Sequence, residues 1–81
     1  MSLELASSVR KTVGAKQTLK AMKRNEVTYL YVAKDCDEQV VAPLIAFAEG
    51  AGIPVDRGYL MMELGLACHI KVKAAAVGLL K

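Results

Sequence analysis

Residues 27–33 read Val-Thr-Tyr-Leu-Tyr-Val-Ala, an almost unbroken run of β-branched, aromatic and aliphatic side chains. A half-exposed strand alternates apolar and polar residues. A run apolar on both parities predicts a strand covered on both faces, as in a parallel or mixed sheet between helix layers. In a chain of 81 residues this allows one domain with one sheet and one set of helices around it. The composition agrees. Hydrophobic residues make up 54% of the chain but aromatics only 5%, which suits small aliphatic side chains packing helices onto a sheet rather than an aromatic-rich barrel.

The rest of the chain reads as alternating helix and strand. Leu3 to about Lys11 is expected to be helical, with Ser2 as its cap, Leu5, Ala6 and Val9 on one face and Arg10 and Lys11 at its C-terminal end. Thr12-Val13 is a short extended piece ending at Gly14. A helix follows from about Ala15 to Arg24, with Ala15, Leu19 and Met22 inward and Lys16, Gln17, Lys20, Lys23 and Arg24 on the other side.

After the strand, Lys34 to Glu38 forms a polar turn. Pro43 is unwelcome inside a helix but accepted in its first turn, so a turn over Glu38 to Ala42 and a helix from Pro43 to Glu49 are expected, stopped by Gly50-Ala51-Gly52. Ile53-Pro54-Val55 reads as a short edge strand. Tyr59 to Cys68 reads as a helix with Leu60, Leu64 and Ala67 on its inner face, His69 to Lys73 as a loop, and Ala74 to Leu80 as a last apolar strand. The sum is an α/β chain, a three-layer α/β/α sandwich with a mixed sheet of about four strands.

Charge points to a class of partner by its placement. The excess is small, +3 from 11 Lys and Arg against 8 Asp and Glu, and the segment Gly14 to Lys20 carries two lysines and no acid. A glycine between strand and helix lets another backbone come close, and the helix that follows offers unpaired amides and a partial positive charge. An anion can sit there. Lys16 and Lys20 share a face at i, i+4, and Gln17 lies three residues before Lys20 on the same side. Ammonium groups can donate to guanine O6 and N7, and an amide can pair with a purine edge. Regular A-form RNA hides those edges in a deep, narrow groove, so the matching target is RNA opened by non-Watson–Crick pairs, a bulge or a kink.

Other readings of these residues weigh against this one. A lysine-rich outer helix face is commonly only a solvated face. A phosphate-binding P-loop fails on spacing, because Ala15 separates Gly14 from Lys16 and Gln17 separates Lys16 from Thr18. In the loop His69-Ile70-Lys71-Val72-Lys73, apolar tips between cations suit an unstacked base and its phosphate; the alternative is a strand start with Ile70 and Val72 turned inward.

Cys36, Asp37, Cys68 and His69 lack the close ligand pairs of structural zinc sites and any nucleophile–base arrangement, so packed free thiols are expected, though a disulfide is not excluded by the sequence. Met61-Met62 reads as core or adjacent surface. No enzyme activity, metal or cofactor is expected. The acidic start Met1-Ser2-Leu3-Glu4-Leu5 does not resemble a signal peptide, and no stretch reaches the ~18 apolar residues of a membrane span. A cytoplasmic monomer with no membrane partner is the expectation.

Several stretches in order carry a resemblance: Gly14-Ala15-Lys16-Gln17-Thr18-Leu19-Lys20, Val32-Ala33-Lys34-Asp35-Cys36-Asp37, Leu64-Gly65-Leu66-Ala67-Cys68-His69-Ile70-Lys71-Val72 and Ala74-Ala75-Ala76-Val77. With these spacings the chain resembles the L-seven-Ae/L-thirty-e/Gadd-type ribosomal protein family, and most closely its short bacterial members of the YbxF type. The resemblance covers nearly the whole chain.

It implies a single RNA-binding domain over residues 1–81, with an α/β/α fold that binds kink-turns and an association with the ribosome. Gly14, Lys16, Gln17 and Lys20 occupy the positions that meet tandem sheared G·A pairs and the bent backbone. Asp37 and the loop of Ile70, Lys71 and Val72 occupy those that cradle a flipped-out nucleotide, and Lys34, inside a matched stretch, joins the contact set. Lys16-Gln17 stands where archaeal and eukaryotic members carry Asn-Glu. His69 replaces a usual glycine, and if that glycine needs positive φ, the histidine strains or reshapes the loop. Lys71 and Lys73 make the loop more basic than its relatives. The alternative function is a protein-interaction or scaffold domain of the same fold, its basic helix against an acidic protein surface.

Overall fold

The computed structural model describes residues 10–81. Its elements in chain order are β1 (Lys11–Val13), α1 (Ala15–Lys23), β2 (Val27–Val32), α2 (Glu38–Ala51), β3 (Val55–Asp56), α3 (Met61–Ala67) and β4 (Ala76–Leu80). The four strands form one mixed sheet in the order β1-β4-β2-β3. β4 pairs antiparallel with both β1 and β2, and β3 lies parallel to β2 at the edge.

The two-sided character of β2 is resolved as its sequence predicts. Leu30 and Val32 face a core built with Met22 of α1 and Val41, Leu44 and Ala48 of α2. Tyr31 and Ala33 face the opposite way, onto Leu64, Ala67 and Cys68 and beside Val77 of β4. Helices therefore cover both faces and the expected three-layer α/β/α sandwich is formed.

Val27 shares a core with Leu30, three residues on, which strict alternation forbids. The ladder shows how: Val27 opposes Leu80 and Tyr29 opposes Leu79, leaving Thr28 as the extra residue of a bulge. Thr28 is exposed and its hydroxyl donates to the Leu79 carbonyl at 3.3 Å.

Several boundaries differ from the sequence reading. The helix expected from Leu3 falls, up to position 9, outside the described residues. Its expected end does not hold, because Lys11 pairs with Leu79 in the sheet and the Arg10 carbonyl accepts from Leu80 N–H. The most instructive correction is α2, which begins at Glu38, not Pro43, and runs unbroken to Ala51. Asp37 starts it: its Oδ1 accepts from Gln39 N–H at 2.9 Å. Pro43 then deprives only the Gln39 carbonyl of a partner, and both residues are exposed, so water can serve that carbonyl. Gly52, left-handed at φ 73°, ends the helix.

The edge strand lies at Val55–Asp56, just after Pro54, whose carbonyl accepts from Leu30 N–H. α3 starts at Met61 rather than Tyr59, and Leu60 is exposed rather than inward. β4 starts at Ala76, after a buried Ala74.

Candidate nucleic-acid interface

Gly14 joins β1 to α1 with φ 98° and ψ 149°, a conformation open to glycine and costly for other residues. A Cβ there would meet nothing within 4 Å, so the glycine answers to backbone geometry and not to crowding. Its N–H donates to the Ala76 carbonyl at 2.8 Å and its carbonyl accepts from Thr18 N–H at 3.0 Å. The start of α1 is thereby tied to the start of β4. The helix has no side-chain cap at its N-terminus and no acid in its first turn, which leaves its amides and its positive end facing outward.

Lys16, Gln17 and Lys20 are all exposed, on the side of α1 opposite buried Thr18 and Met22. Ala15 and Leu19, expected to form the inner stripe, are only half-buried, and the deepest residue of the first turns is Thr18, fully buried. The Thr18 hydroxyl shares a 2.9 Å hydrogen bond with that of Thr12 on β1. The pair lies over Gly78 of β4, where a Cβ would come within 2.9 Å of both Thr12 Oγ1 and Thr18 Cγ2. Gly78 lets α1 settle onto the sheet and the threonine pair fixes its position there. Thr18→Val keeps the volume and deletes the hydroxyl; the melting temperature is expected to fall by about 5 °C, corresponding to about 1 kcal/mol. An unchanged thermal transition would remove the pair from this role.

The other candidate residues collect at the same end of the sheet. β1 and β2 end where antiparallel β4 begins, with Gly14 N–H on Ala76 and Ala33 N–H on Ala75. Lys34 is exposed just past β2, its backbone N–H donating to the Tyr59 carbonyl. Asp37, also exposed, has one carboxylate oxygen engaged in capping α2. Asp35 beside it accepts from Met61 N–H at 2.8 Å, so the 34–37 turn holds the start of α3.

The far end of α3 carries the loop 69–73. Ile70 is half-buried against Leu64, Ala67 and Cys68, while Lys71, Val72 and Lys73 are exposed. Of the two apolar residues, then, Ile70 turns partly inward and Val72 outward, and no strand forms here. His69 takes φ 61°, the left-handed conformation that a glycine would adopt freely and that histidine enters more readily than most residues.

Sequence reasoning missed Thr18, Asp35 and Gly65, whose roles are to position others. Asp35 had no nearby signal, since its partner lies 26 residues away.

Cys36 and Cys68 are free thiols. Burial pushes the Cys68 thiol above its ordinary pKa, with Lys11 acting weakly the other way, which is the wrong direction for a nucleophile. Burial also raises Tyr29 and Tyr31, with Asp56 and the neighbouring tyrosines adding to it. Among the described residues no cluster of three or more His, Cys, Asp or Glu is placed to hold a metal, and no helix is long and apolar enough to cross a membrane.

Comparison with known proteins adds a second line. The model of the family described as "Ribosomal protein L7Ae/L30e/S12e/Gadd45 family" matches residues 3–81. "RNA-binding protein YbxF" of Geobacillus stearothermophilus is 42% identical over 69 residues, covering 85% of this chain and 84% of that protein. An RNA-binding protein of Halalkalibacterium halodurans is 43% identical over 82 positions, covering 100% of both. Among solved structures, the Giardia lamblia 15.5kD RNA binding protein superimposes with a TM-score of 0.82 at 26% identity over 88% of this chain, which spans 60% of that protein's length. A protein of unknown function from Bacillus halodurans shares the fold, with a TM-score of 0.79 at 21% identity, covering 88% of this chain and 71% of that one.

Proposed function

The chain belongs to the ribosomal protein L7Ae/L30e/S12e/Gadd45 family, and from that premise we propose that it is a non-catalytic RNA-binding protein that recognises kink-turns. The observation that carries the reading is the start of α1. An uncapped helix N-terminus, set by a positive-φ glycine, presents Lys16, Gln17 and Lys20 on one exposed face. The relatives named as RNA-binding proteins support the class of ligand.

In this reading α1 enters the groove of a bent RNA at tandem sheared G·A pairs, whose purine edges take the ammonium and amide donors. Backbone phosphates meet the helix end. Lys34, Asp37 and the loop of Ile70, Lys71 and Val72, at the same end of the sheet, hold a flipped-out nucleotide. The protein acts by population shift: it binds the kinked state and so favours it. Association with a ribonucleoprotein, the ribosome among them, belongs to the same reading, and the RNA that co-purifies from cells would name it.

A gel shift with a kink-turn RNA and a control whose G·A pairs are replaced by Watson–Crick pairs tests the proposal. The kink-turn is expected to bind at least ~100-fold tighter, since each lost base-edge contact costs ~1–3 kcal/mol. Equal, weak, strongly salt-dependent binding to both would reduce the interaction to charge attraction and return the protein-interaction alternative.

A further inference from the structure

The edge strand of the sheet ends beside residues that the kink-turn reading gives to the flipped-out nucleotide. β3 runs parallel to β2 with Asp56 opposite Tyr31, so Arg57 leaves the sheet level with Val32, two residues before Lys34. Open α/β sheets bind ligands outside the carboxyl ends of their strands. Three contacts hold the turn after β3 against residues 34–38. Lys34 N–H donates to the Tyr59 carbonyl at 2.9 Å, Met61 N–H donates to Asp35 Oδ1 at 2.8 Å, and the Arg57 guanidinium pairs with the Glu38 carboxylate at 2.6 Å. Asp56 shapes the turn itself, its Oδ1 accepting from Gly58 N–H at 2.8 Å. Arg57 and Glu38 are both exposed, and Glu38 directly follows Asp37.

We propose that Arg57 is a further RNA-contacting residue, whose guanidinium face, oriented by Glu38, stacks on the base of the flipped-out nucleotide. The inference rests on the kink-turn reading and supplies what the residues named there lack. An unstacked base is held on a flat partner, an aromatic ring or a guanidinium plane. Lys34, Asp37, Ile70, Lys71 and Val72 offer neither. The Tyr59 ring is half-buried, packed beside the Leu64 core and edge-on to Tyr31 with 6.0 Å between centroids. Arg57 is exposed on the neighbouring turn, and its ion pair gives the plane a fixed direction. A carboxylate meets a guanidinium in that plane, which leaves the faces free for a base. A phosphate is the weaker occupant. It would compete with Glu38 for the same donors and would meet the carboxylates of Asp37 and Glu38 at like charge.

The test is a binding titration with three RNAs: a kink-turn, the same kink-turn with an abasic flipped-out nucleotide, and the control without G·A pairs. Arg57→Ala and Arg57→Lys are each expected to weaken binding of the intact kink-turn by at least ~5-fold, the value of one base stacked on a side chain. The slope of log affinity against log salt should not change, because the contact is a face and not a phosphate pair. On the abasic RNA both variants should bind as the wild type does, since the partner of the stack is already gone. The Arg57–Glu38 pair is solvent-exposed, so the thermal transition should stay in place. His69, the ring of the loop 69–73, is the rival flat group, and His69→Asn keeps a residue that tolerates its left-handed conformation. Wild-type affinity in Arg57→Ala, recovery in Arg57→Lys, a slope lowered by ~0.7 or more, an equal loss on the abasic RNA, or a base-dependent loss in His69→Asn alone would each overturn the stack. A wild-type protein that binds kink-turn and control alike would overturn the kink-turn reading itself, and this inference with it.

Discussion

Replacing Gly65 with alanine is expected to lower the melting temperature by about 10–20 °C, corresponding to about 2–3 kcal/mol in a domain of this size. The sign is what makes the experiment informative. Gly65 lies inside α3, where alanine is the better helix former by ~1 kcal/mol, so local propensity alone foretells stabilisation. Tertiary contact foretells the reverse. A Cβ on Gly65 would collide with the Val72 carbonyl oxygen and stand 3.1 Å from its carbon, and backbone cannot rotate aside as a side chain can. The loop would have to lift off the helix, loosening the hydrogen bond from Ile70 N–H to the Gly65 carbonyl and the packing of Ile70 on Leu64, Ala67 and Cys68. Thermal unfolding followed by circular dichroism decides, and a transition at or above the wild-type temperature would show that the loop does not rest on α3 as described. RNA affinity should fall only in part, because α1 is held by Thr12, Thr18 and Gly78 and not by Gly65.

This difference between local and tertiary reasoning also separates what the sequence made legible from what it did not. The two-sided apolar run of β2 required helices on both faces, and Gly14 followed by a lysine-rich segment located the start of α1; both are short-range patterns with a period. Where a residue's role depends on a distant partner, pattern reading failed. The helical pattern assigns Thr18 to neither face, yet it is fully buried, with its hydroxyl partner on β1. Asp35 looks like an ordinary turn acid, yet it caps α3 from 26 residues away.

Pro43 misled in a different way. The rule that proline interrupts a helix assumes that the freed carbonyl is costly, and here it opens to water while Asp37 has already nucleated the turn before it. The exposure of Leu66 was likewise hidden, since a helix beside a loop gives no sequence sign of which apolar residues the loop will leave uncovered.

The double substitution Lys16→Ala with Lys20→Ala is expected to weaken kink-turn binding by about 100-fold at moderate salt while leaving the fold untouched. Each ammonium donating to a phosphate or a guanine edge contributes ~1.5–3 kcal/mol as a charge-assisted hydrogen bond, and the loss of two reaches or exceeds 100-fold even when they are partly redundant. Stability offers no competing explanation. Both side chains are exposed and alanine favours a helix interior, so the thermal transition should hold or rise slightly.

The salt dependence then separates the two kinds of contact. Every phosphate contact removed lowers the slope of log affinity against log salt by ~0.7–0.9, so two phosphate contacts would flatten it by ~1.5. A large loss of affinity with a nearly unchanged slope would assign the lysines to base edges instead. Lys81→Ala is the control: that residue lies at the other end of the sheet, beside Glu26, and its loss should change affinity only slightly. An affinity within ~3-fold of wild type for the double variant would leave α1 as a solvated face, because the contacts assigned to it can each supply ~10-fold or more.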